Sequence, residues 1–150
     1  VRKRLVKGIT VLELMIAMAI MATLSMIAMV LYRDYSETGR VAAAVVDIRD
    51  IEGAIVRFES INFRLPDDLT EAGKDHLRDP WGNPYQYLNL AGANPGDMRK
   101  DRNLVPINSD YDLYSMGPDG DSLPPLTAPP SRDDIVRANN GGFVGAADAY

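Results

Sequence analysis

Residues 9–32 read ITVLELMIAMAIMATLSMIAMVLY, an apolar run broken by a single charge, Glu13. About 20 such residues are enough for a helix to span a bilayer. Beyond it, Val41, Ala44, Val45, Ile48, Ile51, Ile55 and Phe58 recur at three- and four-residue spacings. Asp47, Arg49, Asp50, Glu52, Arg57 and Glu59 fill positions between them. That is one apolar helix face with a charged back. No proline interrupts residues 9–61, although Gly39 and Gly53 soften the run. The pattern predicts one continuous helix of about 50 residues, roughly 80 Å long. Its first half is apolar all round and its second half is amphipathic.

After residue 62 the helical period stops, and Pro, Gly, Asn and Asp become frequent. Leu65-Pro66-Asp67-Asp68-Leu69 reads as a turn leading into a short helix over 71–77. Asp79-Pro80-Trp81-Gly82-Asn83-Pro84 is dense in turn formers. Residues 85–90 partly alternate and predict a strand, and residues 92–102 a polar loop. Residues 112–116 predict a second strand, ended by Gly117-Pro118-Asp119-Gly120-Asp121. The Pro-rich stretch 123–130 fits neither element. Residues 135–138 form a short helix or strand, and 141–150 end near the surface. The expected fold class is α+β, with the amphipathic half of a long N-terminal helix packed on a small antiparallel sheet and a loop-rich C-terminal region. The expected core joins Val45, Ile48, Ile51, Ile55 and Phe58 to Trp81, Tyr87, Leu113 and Tyr114. The aromatic residues are read as core and turn residues rather than ligand contacts.

Composition narrows the chemistry. The 150 residues have room for one modest domain. With no Cys, disulfides, thiolate metal sites and thiol nucleophiles are excluded. The single His, His76, lies in a charged stretch and reads as a surface residue. No G-x-S-x-G and no phosphate-cradling glycine loop is present, so the sequence predicts no enzyme. The net charge of -5 is distributed unevenly. Arg2, Lys3, Arg4 and Lys7 supply 4 of the 16 basic residues, leaving 12 for the rest of the chain against all 21 acids. An acidic chain without a basic stripe is a poor nucleic-acid binder. The basic flank predicts a cytoplasmic N-terminus, with everything after the apolar run across the membrane. That run is too long for a cleavable secretory h-region and reads as an anchor. Glu13 does not fit a plain anchor. A carboxylate costs about 2.5–3.5 kcal/mol at the centre of a membrane helix, and less near its end, so it calls for a partner.

Lys7-Gly8-Ile9-Thr10-Val11-Leu12-Glu13-Leu14 resembles the N-terminal signature of type IV pilins and type II secretion pseudopilins. The head strengthens the resemblance. Asp79-Pro80-Trp81-Gly82-Asn83-Pro84-Tyr85-Gln86-Tyr87, followed by Tyr111-Asp112-Leu113-Tyr114-Ser115-Met116-Gly117-Pro118-Asp119-Gly120, is similar to the major, G-type pseudopilins. The resemblance implies a leader over 1–8, a transmembrane and polymerisation half over 9–32, an amphipathic half over 33–61 and a small α+β periplasmic head over 62–150, in a pilin-like fold. It implies that prepilin peptidase cuts between Gly8 and Ile9, that Ile9 becomes the N-methylated terminus, and that Glu13 faces the terminal amine of a neighbouring subunit. It implies a homopolymer with other pilin-like subunits on an inner-membrane assembly platform. The subunit would wait in the bacterial inner membrane as a single-pass protein, then enter a short periplasmic filament for type II protein secretion. It also implies calcium in the loop after the second strand, held by the Met116 carbonyl, Asp119, Asp121 and a later carboxylate, Asp133 or Asp134. Loop carbonyls and carboxylates are suitable hard donors for that ion.

The chain departs from the family in three places. Ile9 stands where Phe is usual. Ala28-Met29-Val30 stands where many relatives have a helix-bending Pro, which predicts a straighter helix. The stretch 123–130 is longer and richer in Pro, which leaves the register of the later carboxylate open. Two other readings stay beside the secretion pseudopilin: a type IV or minor pilin serving adhesion, motility or DNA uptake, and a signal-anchored periplasmic binding domain that never polymerises. The lack of Cys favours the first, because many major pilins close their C-terminal loop with a disulfide.

Overall fold

The computed structural model describes residues 8–150; the basic stretch 1–7, with the topology expectation resting on Arg2, Lys3, Arg4 and Lys7, lies outside it. The chain divides into two compact units, Val1–Thr38 and Gly39–Tyr150. One helix, α1 (Val11–Asn62, 52 residues), contributes to both. Its length matches the expectation, and Ala28-Met29-Val30 stays helical.

Within the first unit the helix opens on a cap. The Glu13 N–H donates to Thr10 Oγ1 at 3.2 Å, and the Leu14 N–H donates to the Thr10 carbonyl at 3.1 Å. The hydroxyl thereby satisfies one of the orphan donors of the first turn. From Val11 to Tyr35 every large apolar side chain of the unit is exposed. An 18-residue window here has a mean hydropathy of 2.5 with none of it buried, long and apolar enough to cross a membrane. A helix apolar on all sides needs an apolar surrounding on all sides.

In the second unit α1 buries Ala44, Ile48, Ile51, Ala54 and Ile55. The sheet has four antiparallel strands in the order β1 (Gln86–Asn89), β2 (Tyr111–Ser115), β3 (Ile135–Ala138) and β4 (Phe143–Ala146). Strand alternation sorts side chains between its two faces. Tyr111, Leu113 and Ile135 join Ala44, Ile48, Ile51, Ile55, Leu69 and Tyr85 under the helix. Val136 and Ala138 pack with Ile107, Leu126 and Ala147 on the other face, with Tyr114 and Phe143 against them. The expected core therefore needs a correction. Leu113 and Tyr114 are neighbours on one strand and cannot both meet the helix. Phe58 also leaves the core. It lies one turn past Ile55, and its ring stacks under the Arg64 guanidinium, 5.1 Å from ring centroid to Cζ.

Two local readings change. The helix expected over 71–77 is a single turn. Asp68 Oδ1 caps the N–H groups of Thr70 and Glu71. Three residues later Gly73 takes φ +69°, and the Lys74 N–H returns to the Leu69 carbonyl at 2.8 Å. Start and stop signals this close leave no room for a second turn. Glu71 instead clamps Arg64, and that hydrogen bond, helped by the Asp67 N–H, holds its carboxyl down at about 2. Residues 135–138 are a strand, and residues 143–146 form β4, which the sequence reading left as a tail. Asn139 and Asn140 both take φ +53° and Gly141 +90°, so Asn-Asn-Gly makes the hairpin turn. Asn and Gly are the residues that tolerate this region.

Arg137, 3% exposed, fastens the sheet to the helix. Its Nε donates to Glu52 at 2.9 Å, its Nη2 to Asp110 at 2.7 Å and its Nη1 to the Tyr111 carbonyl at 3.2 Å. The guanidinium also lies 3.9 Å over the Tyr111 ring. Burial alone would raise Asp110, but the Arg137 hydrogen bonds and charge hold it below the usual carboxylate value. A lowered folded value stabilises above the unfolded one and is lost as pH falls. The chain should therefore lose stability as pH drops below about 4, the unperturbed aspartate value. Asp110→Asn should flatten that acid limb in urea titrations across pH. In the core, Ile51→Ala should cost about 2–5 kcal/mol by chemical denaturation of the full chain in detergent. Val46→Ala, at a position 66% exposed, should stay within about 0.5 kcal/mol.

Candidate assembly segment and head loop cluster

The N-terminal candidates sit together at the start of α1. Gly8, Ile9 and Thr10 precede the helix outside any regular element and are exposed, Ile9 at 76%. An added Cβ on Gly8 would meet nothing within 4 Å. Glu13 lies in the first helical turn. Among the described residues no side chain pairs with its carboxylate. A lone acid in an apolar segment gains by finding a cation, and the end of the apolar run is where a terminal amine could reach it.

In the head, the two sequence blocks that carry the resemblance fold onto each other. Asp79 Oδ1 accepts the N–H groups of Trp81, at 3.1 Å, and Asn83, at 2.8 Å, while the Asp79 N–H returns to the Asn83 carbonyl at 2.8 Å. This closes the Pro80-Trp81-Gly82 turn, with Gly82 at φ +100°. The other Asp79 oxygen accepts from Ser115 at the end of β2. Asn83 Nδ2 donates to the Gly117 carbonyl at 2.8 Å. One turn thus sets the path of the loop leaving β2. Gly117 takes φ +63°, and a Cβ there would stand 2.5 Å from the Asp133 carbonyl oxygen. Asp133 is thereby placed beside the β2 exit.

The donors proposed for calcium divide differently. Asp119 and Asp121 are exposed, and Asp119 Oδ1 accepts the Asp121 N–H at 2.9 Å. Met116 is half-buried after β2. Asp134 is fully buried, and its Oδ2 is taken by Arg99 and by the Ser122 hydroxyl, the latter at 2.6 Å. Among the described residues no three His, Cys, Asp or Glu side chains converge on a point where a metal could sit. Asp134 Oδ1 is buried without a partner, the one feature that suits an added cation. The guanidinium on its sister oxygen opposes that. Two like unit charges 4 Å apart repel by about 4 kcal/mol at an effective dielectric of 20, and a divalent ion doubles the term. As folded, the Asp134 Oδ2 acceptor is therefore occupied by a guanidinium.

Arg99 is the residue that sequence reading missed. It stands in what reads as a polar loop, where solvation is the ordinary expectation for arginine. It is 3% exposed. Nη1 donates to Ser122 Oγ and to the Leu123 carbonyl, the latter at 2.7 Å. Cζ lies 4.1 Å over the Tyr114 ring, and the Arg99 N–H donates to Asp112 Oδ2 at 2.7 Å. Burial raises Asp134 to about 6 even though Ser122 and Arg99 pull it down, so beside Arg99 it is mostly ionised at neutral pH. Burial likewise raises Asp112 against the Arg99 N–H and Asn108. A cleft of about 630 Å³ lies elsewhere, lined by Asp101, Arg102, Arg132, Asp148 and Tyr150 among others, with charges of both signs.

No protein-family model matches the chain, and no solved structure matches it. Curated proteins do. The type II secretion system core protein G of Aeromonas hydrophila is 29% identical over 144 residues, covering 81% of this chain and 89% of that protein. That of Pseudomonas aeruginosa is 26% identical over 142 residues, covering 79% and 88%. That of Klebsiella pneumoniae is 27% identical over 152 residues, covering 86% and 91%.

The loop geometry sets a test. Gly117→Ala combines a left-handed backbone with a carbonyl clash and should cost more than about 1 kcal/mol. Gly96→Ala, where an added Cβ meets nothing within 4 Å, should be neutral or stabilising by up to about 1 kcal/mol. Paired urea curves on the two variants decide it.

Proposed function

We infer that this chain, distantly but consistently related to the core G proteins of type II secretion, is a pseudopilin: a structural subunit of the pseudopilus that serves protein export. The observation that carries the reading is Glu13, a lone carboxylate in the first turn of a helix whose large apolar side chains from Val11 to Tyr35 are all exposed. Such a helix is stable in a membrane or inside a bundle of its own kind. Moving from the first to the second exchanges lipid contacts for helix contacts, so apolar burial alone gives little direction to assembly. The carboxylate supplies direction. It gains when a neighbour's amine reaches it and loses when register is wrong.

Processing completes the pair. Cleavage after Gly8 would free the Ile9 amine, four residues before Glu13. In a stack of axially offset helices, that amine belongs beside the Glu13 of an adjacent subunit. N-methylation would keep its charge while removing hydrogen-bond donors. The peptidase that cuts here, and the platform that loads the subunit, act at the membrane face where Gly8 lies. The chain would enter as a single-pass protein, with its head in the periplasm. Its own residues then serve packing and register, and no catalytic step is assigned to them.

Expression of the full chain with its secretion machinery tests the proposal. Glu13→Ala should leave the subunit processed and in the membrane while filaments, seen by electron microscopy, and secretion both fall at least tenfold. Gly8→Val should block the mobility shift of processing. Filaments at wild-type density from Glu13→Ala would sink the reading.

A further inference from the structure

The family resemblance calls for calcium in the loop after β2, but among the described residues no three acidic or His side chains cluster for a metal, and Asp134 is held by Arg99. We propose that in this chain the Arg99 guanidinium is the resident cation of that loop cluster, so that the head is held without a divalent ion.

The acceptors around Arg99 are hard oxygens of the kind a calcium ion would take: a carboxylate, a hydroxyl and a backbone carbonyl. They are Asp134 Oδ2, Ser122 Oγ and the Leu123 carbonyl. They come from different places in the chain: the loop after β2 and the residue just before β3. Arg99 itself comes from the loop before β2, and its N–H holds Asp112 within that strand. One side chain thus ties three segments, as a bound ion would. The planar fork suits this, because its donors point at several acceptors in fixed directions. Tyr114 closes one face of the plane. Ser131 adds a second tie beside it, accepting the Leu123 N–H and donating to the Leu123 carbonyl, both at 2.7 Å. Lys100, the next residue, fastens the same loop to the Pro-rich stretch. Its N–H donates to the Pro124 carbonyl and its carbonyl accepts from Leu126, each at 2.9 Å. The unusual length of residues 123–130 finds its place here, wrapped around the arginine.

The proposal rests on the geometry of the head alone, so it stands or falls apart from the filament reading. Its test is thermal melting of the full chain in detergent, with millimolar calcium chloride and with chelator. A site holding calcium at a hundredfold its dissociation constant would raise Tm by roughly 10–20 °C. Wild type should instead shift by less than about 2 °C, within the effect of magnesium as control. Arg99→Ala should lower Tm by about 10 °C or more. Arg99→Lys keeps the charge but loses the fork, and should fall between the two. If Arg99→Ala yields no folded protein, Arg99→Lys and the wild-type melts decide. A large calcium-specific rise in wild type, removed by Asp119→Ala, would overturn the proposal and restore the metal. So would an Arg99→Lys melt equal to wild type.

Discussion

The second unit depends on one apolar stripe. Ala44, Ile48, Ile51 and Ile55 are each fully buried against a sheet whose strands are only four or five residues long. Strands that short are not stable alone and need a layer on each face. The helix is one layer. The other is made of loops, with Ile107, Leu126 and Ala147 closing on Val136 and Ala138. Each large side chain so buried contributes roughly 1.5–3 kcal/mol.

A loop layer brings backbone and carboxylates inside, and those need partners. Without Cys the chain has no covalent tie to hold such loops. It uses arginine instead. Arg137 takes Glu52 and Asp110 on the helix side of the sheet, and Arg99 takes Asp134 on the loop side. Both are 3% exposed, and both lie over a tyrosine ring of β2. Buried ion pairs are weak sources of net stability, but a half-pair is costly, so they punish any other arrangement of the loops. In an acidic domain, where carboxylates would otherwise crowd, that is a device for uniqueness. The Asp79 turn does similar work with hydrogen bonds, locking the exit of β2 from outside the sheet.

The first unit follows the opposite logic. It leaves its apolar surface uncovered and carries a single acid at one end. A helix apolar on all sides is at home in lipid or inside a bundle of its own kind. The one charge stands out against a background that is otherwise uniform around the helix.

The helix was legible because residues 9–32 form an unbroken apolar run and residues 41–58 carry a 3.6-residue period, with no proline between. So were β1 and β2 and the turn at Asp79, which are local in sequence. The β4 hairpin was written in Asn139-Asn140-Gly141 but hidden by a glycine-rich tail that looks like an end. The helix expected after Glu71 failed to local chemistry of the same kind, the stop signal at Gly73. What only tertiary structure decided was which acids face which cations. Asp134 reads from sequence as one of two candidates for the later calcium carboxylate, yet it is the buried partner of an arginine 35 residues away. Tyr114 reads as core beside Leu113, yet it lies on the other face. Periodicity reports which side a residue takes relative to its neighbours. It carries no information on which distant loop arrives there, and the charge inventory of the head is settled by that arrival.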